Sequence, residues 1–103
     1  MIHSNHFSDS SGNPAGGTTF GRGFAIGWQN GPLGRDDDRQ EPNGAFVEDI
    51  IKAAIDRLEY YQASRFACAY NADAINHLKW GLSCLEARTA EREARKVEGT
   101  HGA

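Results

Sequence analysis

The stretch that decides the fold is NADAINHLKWGLSCLEARTAEREARK, residues 71–96. Ile75, Leu78, Leu82 and Leu85 recur there at spacings of 3, 4 and 3, and side chains three or four apart share one face of an α-helix. Asn71 offers a cap, since its amide oxygen can accept from a free backbone N–H of the first turn. After Leu85, Arg88, Arg92 and Arg95 follow at spacings of 4 and 3, along one edge of the same stripe. The spacing therefore predicts a helix of about 26 residues, ~39 Å long, whose first half packs and whose second half projects guanidinium groups.

Two further positions on this helix carry information. Trp80 falls almost opposite the apolar stripe with Ala87 about two turns on, which reads as a contact for another subunit. Gly81 costs about 1 kcal/mol relative to Ala in mid-helix. It lies along the edge that holds His77 and Arg88, where it leaves room for a neighbouring backbone or a ligand.

Upstream, Asn43 offers a cap for a first helix over residues 44–62. Val47, Ile51, Ala54, Leu58 and Tyr61 fall in one band, widened by Phe46, Ile50 and Ile55. Such a band can touch both a partner helix and a strand. The periodicity breaks over residues 62–69, and two helices with a short connection run antiparallel. Tyr61 then lies near Asn71, whereas the arginines lie at the other end of the hairpin or overhang it. A site that uses both sets has to be assembled between chains.

The N-terminal part reads differently. Phe24, Ile26 and Trp28 alternate with Ala25 and Gly27, the signal of a strand with one covered face, and Asn30-Gly31-Pro32 ends it in a turn. A second short strand is expected within 33–41. Residues 1–19, rich in Ser, Gly, Asn and His (SDSSGNPAGGTT), read as a disordered tail, with His3 and His6 solvated. The organisation expected is one α+β domain: a tail over 1–19, a β element and charged loop over 20–42, and an antiparallel two-helix hairpin over 43–103, completed by oligomerisation.

Composition removes several functions. The 103 residues carry a net charge of −3, which argues against nucleic acid or an anionic membrane as partner. Gly21-Arg22-Gly23 lacks the spacing of a dinucleotide loop, and no Gly-Lys-Ser/Thr motif cradles a triphosphate. Asp36-Asp37-Asp38 has no calcium-loop frame and reads as a solvated loop. Cys68 and Cys84 have neither disulfide-framework nor metal-ligand spacing, and read as buried apolar residues in a reducing cytoplasm. No cofactor, metal or catalytic group is implied.

The arginines carry the chemistry. Guanidinium groups bind phosphate bidentately, and an aromatic ring with an amide would complete a nucleotide site by stacking and base-edge hydrogen bonding. The alternative is that Arg88, Arg92 and Arg95 form exposed ion pairs such as Glu91–Arg95, worth about 0.3–0.5 kcal/mol each. Spacing alone leaves both open.

The segments DRLEYYQASRFACAYNADAINHL (56–78), LEARTAEREARKVEGTH (85–101) and GFAIGWQNGP (23–32) resemble the phage-encoded Thoeris anti-defence type one sponge family, whose helical hairpin is shared with the type two anti-CBASS sponge. The resemblance covers roughly residues 22–101 and departs at Ala69-Tyr70, where relatives commonly carry two polar or charged residues. It implies a protein of the host bacterial cytoplasm that sequesters cyclic ADP-ribose isomers without cleaving them, and that in some relatives also holds cyclic oligonucleotides. It implies a homo-oligomer, dimer or hexamer, with its site between subunits. By matching motifs, Tyr61 corresponds to the stacking aromatic, Asn71 to the base-contacting amide, and Arg88 and Arg92 to the phosphate-binding arginines. Arg95, Phe66 and Gln29 are further candidates. Two other classes compete: an enzyme that cleaves the same cyclic nucleotide through Glu91 or His77, and a structural helical phage protein with no ligand.

Overall fold

A computed structural model describes residues 1–103, and regular structure begins at Ile2. Three strands, β1 (Ile2–Ser8), β2 (Pro14–Gly21) and β3 (Phe24–Asn30), form an antiparallel sheet in sequence order, followed by two helices, α1 (Val47–Gln62) and α2 (Ala69–Ala94). The chain is thus α+β, as its patterning predicts. It divides into two units, one made of Met1–Phe46 with Arg92–Ala103 and the other of Val47–Glu91.

The expectation of a disordered tail over 1–19 is corrected: β1 and most of β2 lie there. The Ser/Gly/Asn composition that reads as disorder is turn chemistry. The Asp9 carboxylate accepts the backbone N–H groups of Ser11 and Asn13, both at 2.9 Å, and Asp9 N donates to Asn13 O at 2.9 Å. Those bonds hold the carboxyl below its ordinary pKa, those from Asn13 most. Gly17 lets the strands approach, because a Cβ there, at φ 137°, would stand 2.1 Å from Asn5 O. Thr19, buried at the sheet centre, shares its hydroxyl with Ser4 at 3.0 Å and accepts from Trp28 Nε1 at 2.8 Å. A polar rung of this kind leaves no apolar alternation to read.

Beyond β3 the chain returns along the strand it has just left. Ala45 N donates to Gly27 O at 2.7 Å and Gln29 N to Ala45 O at 3.0 Å, a parallel bridge. Asn43 therefore does not cap α1; its side chain accepts from Asn30 N at 2.8 Å and donates to Asn30 O at 3.0 Å. With residues 43–45 engaged in this way, α1 starts at Val47 rather than 44. The strand expected in 33–41 is also absent: Asp36–Asp38 is a 3₁₀ turn with Asp36 at φ 51°.

The same unit ties this loop to the C-terminal segment. Arg35 forms a forked ion pair with Glu93, at 3.2 and 3.3 Å, and also donates to Glu98 O at 2.8 Å. Arg39 pairs with Glu98 at 2.6 Å, and Gly34 N donates to Gly99 O at 2.8 Å. Helix α2 ends in a Schellman arrangement: Val97 N reaches Arg92 O and Lys96 N reaches Glu93 O, both at 3.0 Å, with Lys96 at φ 61°.

In the other unit the stripe expected on α2 is covered, whereas the band expected on α1 is only partly so: Val47 and Ala54 are exposed, and the buried residue is Ile55 at the band's edge. Ile55 of α1 and Ile75 of α2 are buried, while Leu58, Leu78, Leu82 and Leu85 are half-buried. Glu59 and Lys79 pair at 3.2 Å. Helix α2 begins two residues before Asn71. Its entry is held by Gln62, which donates to Cys68 O and accepts from Cys68 N, each at 3.0 Å. Cys68 and Cys84 are both exposed, contrary to the buried expectation: Cys68 lies in the connection before α2, and Cys84 lies off the apolar stripe of that helix. No helix is long and apolar enough to cross a membrane.

Candidate functional site

The connection between the helices gathers three of the expected residues. Tyr61, half-buried at the end of α1, presents its backbone carbonyl to Ser64 Oγ at 2.6 Å, and the same Oγ accepts from Phe66 N at 3.1 Å. Asn71 lies inside the first turn of α2 and reaches back from Nδ2 to Phe66 O at 3.3 Å. Its expected role as cap is corrected: the Cys68 carbonyl already receives Ala72 N at 3.2 Å. Tyr61, Phe66 and Asn71 are thereby linked through one small network, with the Phe66 ring exposed.

Sequence reasoning passed over Arg57, one turn before Tyr61. Its Nε donates to the Tyr61 hydroxyl at 3.2 Å, and its guanidinium carbon sits 4.8 Å from the Tyr60 ring centre and 5.0 Å from that of Tyr61. That hydrogen bond to the Tyr61 hydroxyl raises the arginine's pKa further above an already high ordinary value. The signal was present as an Arg followed at i+3 and i+4 by tyrosines, a spacing that places all three on one helix face. Arg65 repeats the pattern locally, over the Phe66 ring at 4.6 Å.

The three arginines of α2 do not form one row of open prongs. Arg88 is exposed, and neither a carboxylate nor a carbonyl holds its guanidinium. Arg92 is buried (9% exposed) and turns into the C-terminal segment, where Nη2 donates to Val97 O at 3.2 Å and to Thr100 O at 3.1 Å, and Nη1 donates to Gly102 O. Arg95 lies past the end of the helix and donates from Nη2 to Ala103 O at 3.0 Å. Equal spacing therefore ends in unequal environments, because the chain folds back after Lys96 and its carbonyls meet the guanidinium groups nearest the helix end.

Gln29 is likewise engaged by backbone. Its Oε1 accepts Asn43 N at 2.9 Å and Gly44 N at 3.2 Å, and Nε2 donates to Gly31 O at 3.1 Å. A cleft of about 580 Å³ lies in the same unit, lined by residues that include Arg35, Asp36, Asp38, Gly99 and His101. None of the expected ligand residues lines it. Its carboxylates make it a poor receptor for phosphate.

The family described as "Acb2/Tad1, hairpin domain" matches residues 22–90, from the β2–β3 turn through most of α2. The chain belongs to that family. A curated relative, "Thoeris anti-defense 1" of Bacillus phage SBSphiJ7, is 44% identical over 81 residues, which make up 79% of this chain and 54% of the relative. The chain thus spans about half the length of the curated relative it matches. Arg57, Tyr61, Phe66, Asn71 and Arg88 all fall inside the family match, whereas Arg92 and Arg95 lie beyond residue 90.

Proposed function

We propose that this chain is a phage anti-defence sponge, which binds a cyclic ADP-ribose isomer and withholds it from the host's Thoeris effector without cleaving it. The observation that carries this reading is the 44% identity over 81 residues to a protein named for Thoeris anti-defence. The chemistry of the chain is compatible with it. Tyr61 offers a ring for a purine, Asn71 an amide beside it, and Arg88 a guanidinium with no internal partner. An anionic nucleotide needs those three kinds of group. Arg92, with its donors on three carbonyls, supports the site by shaping the segment that follows α2, and contributes to phosphate at most through its remaining N–H groups.

The acting form in this proposal is a homo-oligomer, dimer or hexamer, in the host bacterial cytoplasm, with sites shared between subunits. Two features favour assembly. Only Ile55 and Ile75 are buried apolar side chains, while Trp80 is 72% and Tyr70 86% exposed on α2. So thin a core leaves apolar surface for a second copy to cover. Cyclic oligonucleotides are a second ligand class for such an assembly.

Isothermal titration of the purified chain with cyclic ADP-ribose isomers and cyclic di- and trinucleotides, with light scattering for mass, tests the reading. Heat-denaturing the loaded protein should release the isomer intact. Linear ADP-ribose in its place would establish cleavage. If saturating concentrations of all these nucleotides leave the melting temperature unchanged, the chain does not bind them. A ligand at 100 times its dissociation constant adds about 2.7 kcal/mol.

A further inference from the structure

Six arginine side chains have their surroundings defined by bonds or ring contacts, and they fall into three groups. Arg35 and Arg39 are on carboxylates, and Arg92 and Arg95 are on backbone carbonyls. Arg57 and Arg65 lie against aromatic rings. Of these last two, only Arg57 is also anchored by a hydrogen bond, from Nε to the Tyr61 hydroxyl. No carboxylate pairs with it, and its Nη1 and Nη2 groups carry no bond to protein.

The consequence is geometric. A guanidinium held at Nε, with its central carbon 4.8 and 5.0 Å from two ring centres, leaves its Nη1–Nη2 edge without a protein partner. That edge is the one that matches two oxygens of a phosphate. Holding it beforehand removes much of the side-chain entropy that an exposed arginine loses on binding. A purely aromatic ligand would have no use for the fork, and a bare anion none for the ring. The pair suits a ligand that carries both.

We infer that Arg57 is a ligand-binding residue: its free Nη edge takes phosphate oxygens of the nucleotide whose base stacks on Tyr61. The inference rests on the proposed role of Tyr61 as the stacking ring and adds a cation to that site from the same helix. Arg57 and Tyr61 belong to one unit and one turn of α1, so the contact does not depend on how subunits meet.

The test is isothermal titration of the full chain with a cyclic ADP-ribose isomer, comparing wild type, Arg57→Gln and Arg57→Lys at about 50 mM and about 500 mM salt. Arg57 is exposed, so circular dichroism should show all three equally folded. Arg57→Gln should weaken binding about tenfold or more at low salt, the deficit should narrow at high salt, and Arg57→Lys should recover part of the loss. Affinity within about twofold of wild type for Arg57→Gln would overturn the inference. So would a loss that is independent of salt and that Lys does not rescue, since that would assign Arg57 to holding the ring alone. Failure of the wild type to bind any isomer is a separate result: it would remove the proposed function first, and this inference with it.

Discussion

Arg92→Ala should open the C-terminal turn before any ligand is added. The guanidinium donates to the carbonyls of Val97, Thr100 and Gly102, and the residue is buried. A hydrogen bond from a charged donor contributes about 1.5–3 kcal/mol. The three carbonyl-bearing residues are only half-buried, so on truncation each regains water and the net loss falls well below the sum of three. About 2 kcal/mol for the segment is a reasonable figure, equivalent to roughly thirtyfold in a local opening equilibrium. The assay is amide hydrogen exchange on the unliganded protein. The reporters are Val97 N, bonded to Arg92 O, Thr100 N, bonded to Val97 O, and Gly102 N, bonded to the Thr100 hydroxyl. Arg92→Lys should restore little, because a single ammonium cannot span three divergent carbonyls. Unchanged exchange at those amides, with nucleotide affinity nevertheless abolished, would refute the reasoning and make Arg92 a ligand group only.

Arg88→Ala should leave the unliganded melting temperature within the range of an ordinary surface change, about 0.5 kcal/mol, yet weaken cyclic ADP-ribose isomer binding by roughly 2 kcal/mol in titration calorimetry. Tyr61→Ala should weaken the same binding by about 1–3 kcal/mol through lost stacking, read in the same titration. Gln29→Ala strips the acceptor from Asn43 N and Gly44 N and should lower stability by about 1–3 kcal/mol in chemical denaturation. Acid should loosen the C-terminal segment: the Arg39 hydrogen bond holds the Glu98 carboxyl below its ordinary 4.5. A depressed carboxyl pKa stabilises the fold above the unfolded value, and that contribution fades as pH falls through the folded one. Protection of the Gly34 amide, which donates to Gly99 O, should therefore fall below about pH 4.5, and Glu98→Gln should abolish that pH dependence.

What the sequence revealed of the fold depended on whether an element buries apolar side chains periodically. Helix α2 does, and Ile75, Leu78, Leu82 and Leu85 located it within two residues at each end. Strand β3 does so in part, through Ile26 and Trp28. Strand β1 does not: all seven of its residues are exposed, and its pairing rests on backbone bonds and on Ser4 with Thr19. Such a strand has the composition of a tail. Only the pairing partner distinguishes the two, and that partner lies 13 or more positions away at most pairs. The helix starts misread at Asn43 and Asn71 have a related cause. An Asn is a competent cap wherever it stands, but each of these side chains is held by a carbonyl outside the local turn.

The candidate site divides along the same line. Residue types were legible: an aromatic ring, an amide and several guanidinium groups are what an anionic nucleotide needs. Which guanidinium is available was not, because Arg88, Arg92 and Arg95 have near-identical helical spacing, and their difference arises only when residues 97–103 fold back over the helix end. A cation's availability is set by the acceptors that reach it, and acceptors on a returning backbone leave no mark in side-chain pattern. By the same argument Arg57 was legible after all. Its companions lie at i+3 and i+4 on its own helix, a local relation that needs no fold to bring it about. Local pairs are thus the stronger basis for naming ligand groups from this sequence, and the arginine beside Tyr61 is better grounded than the one at Arg92.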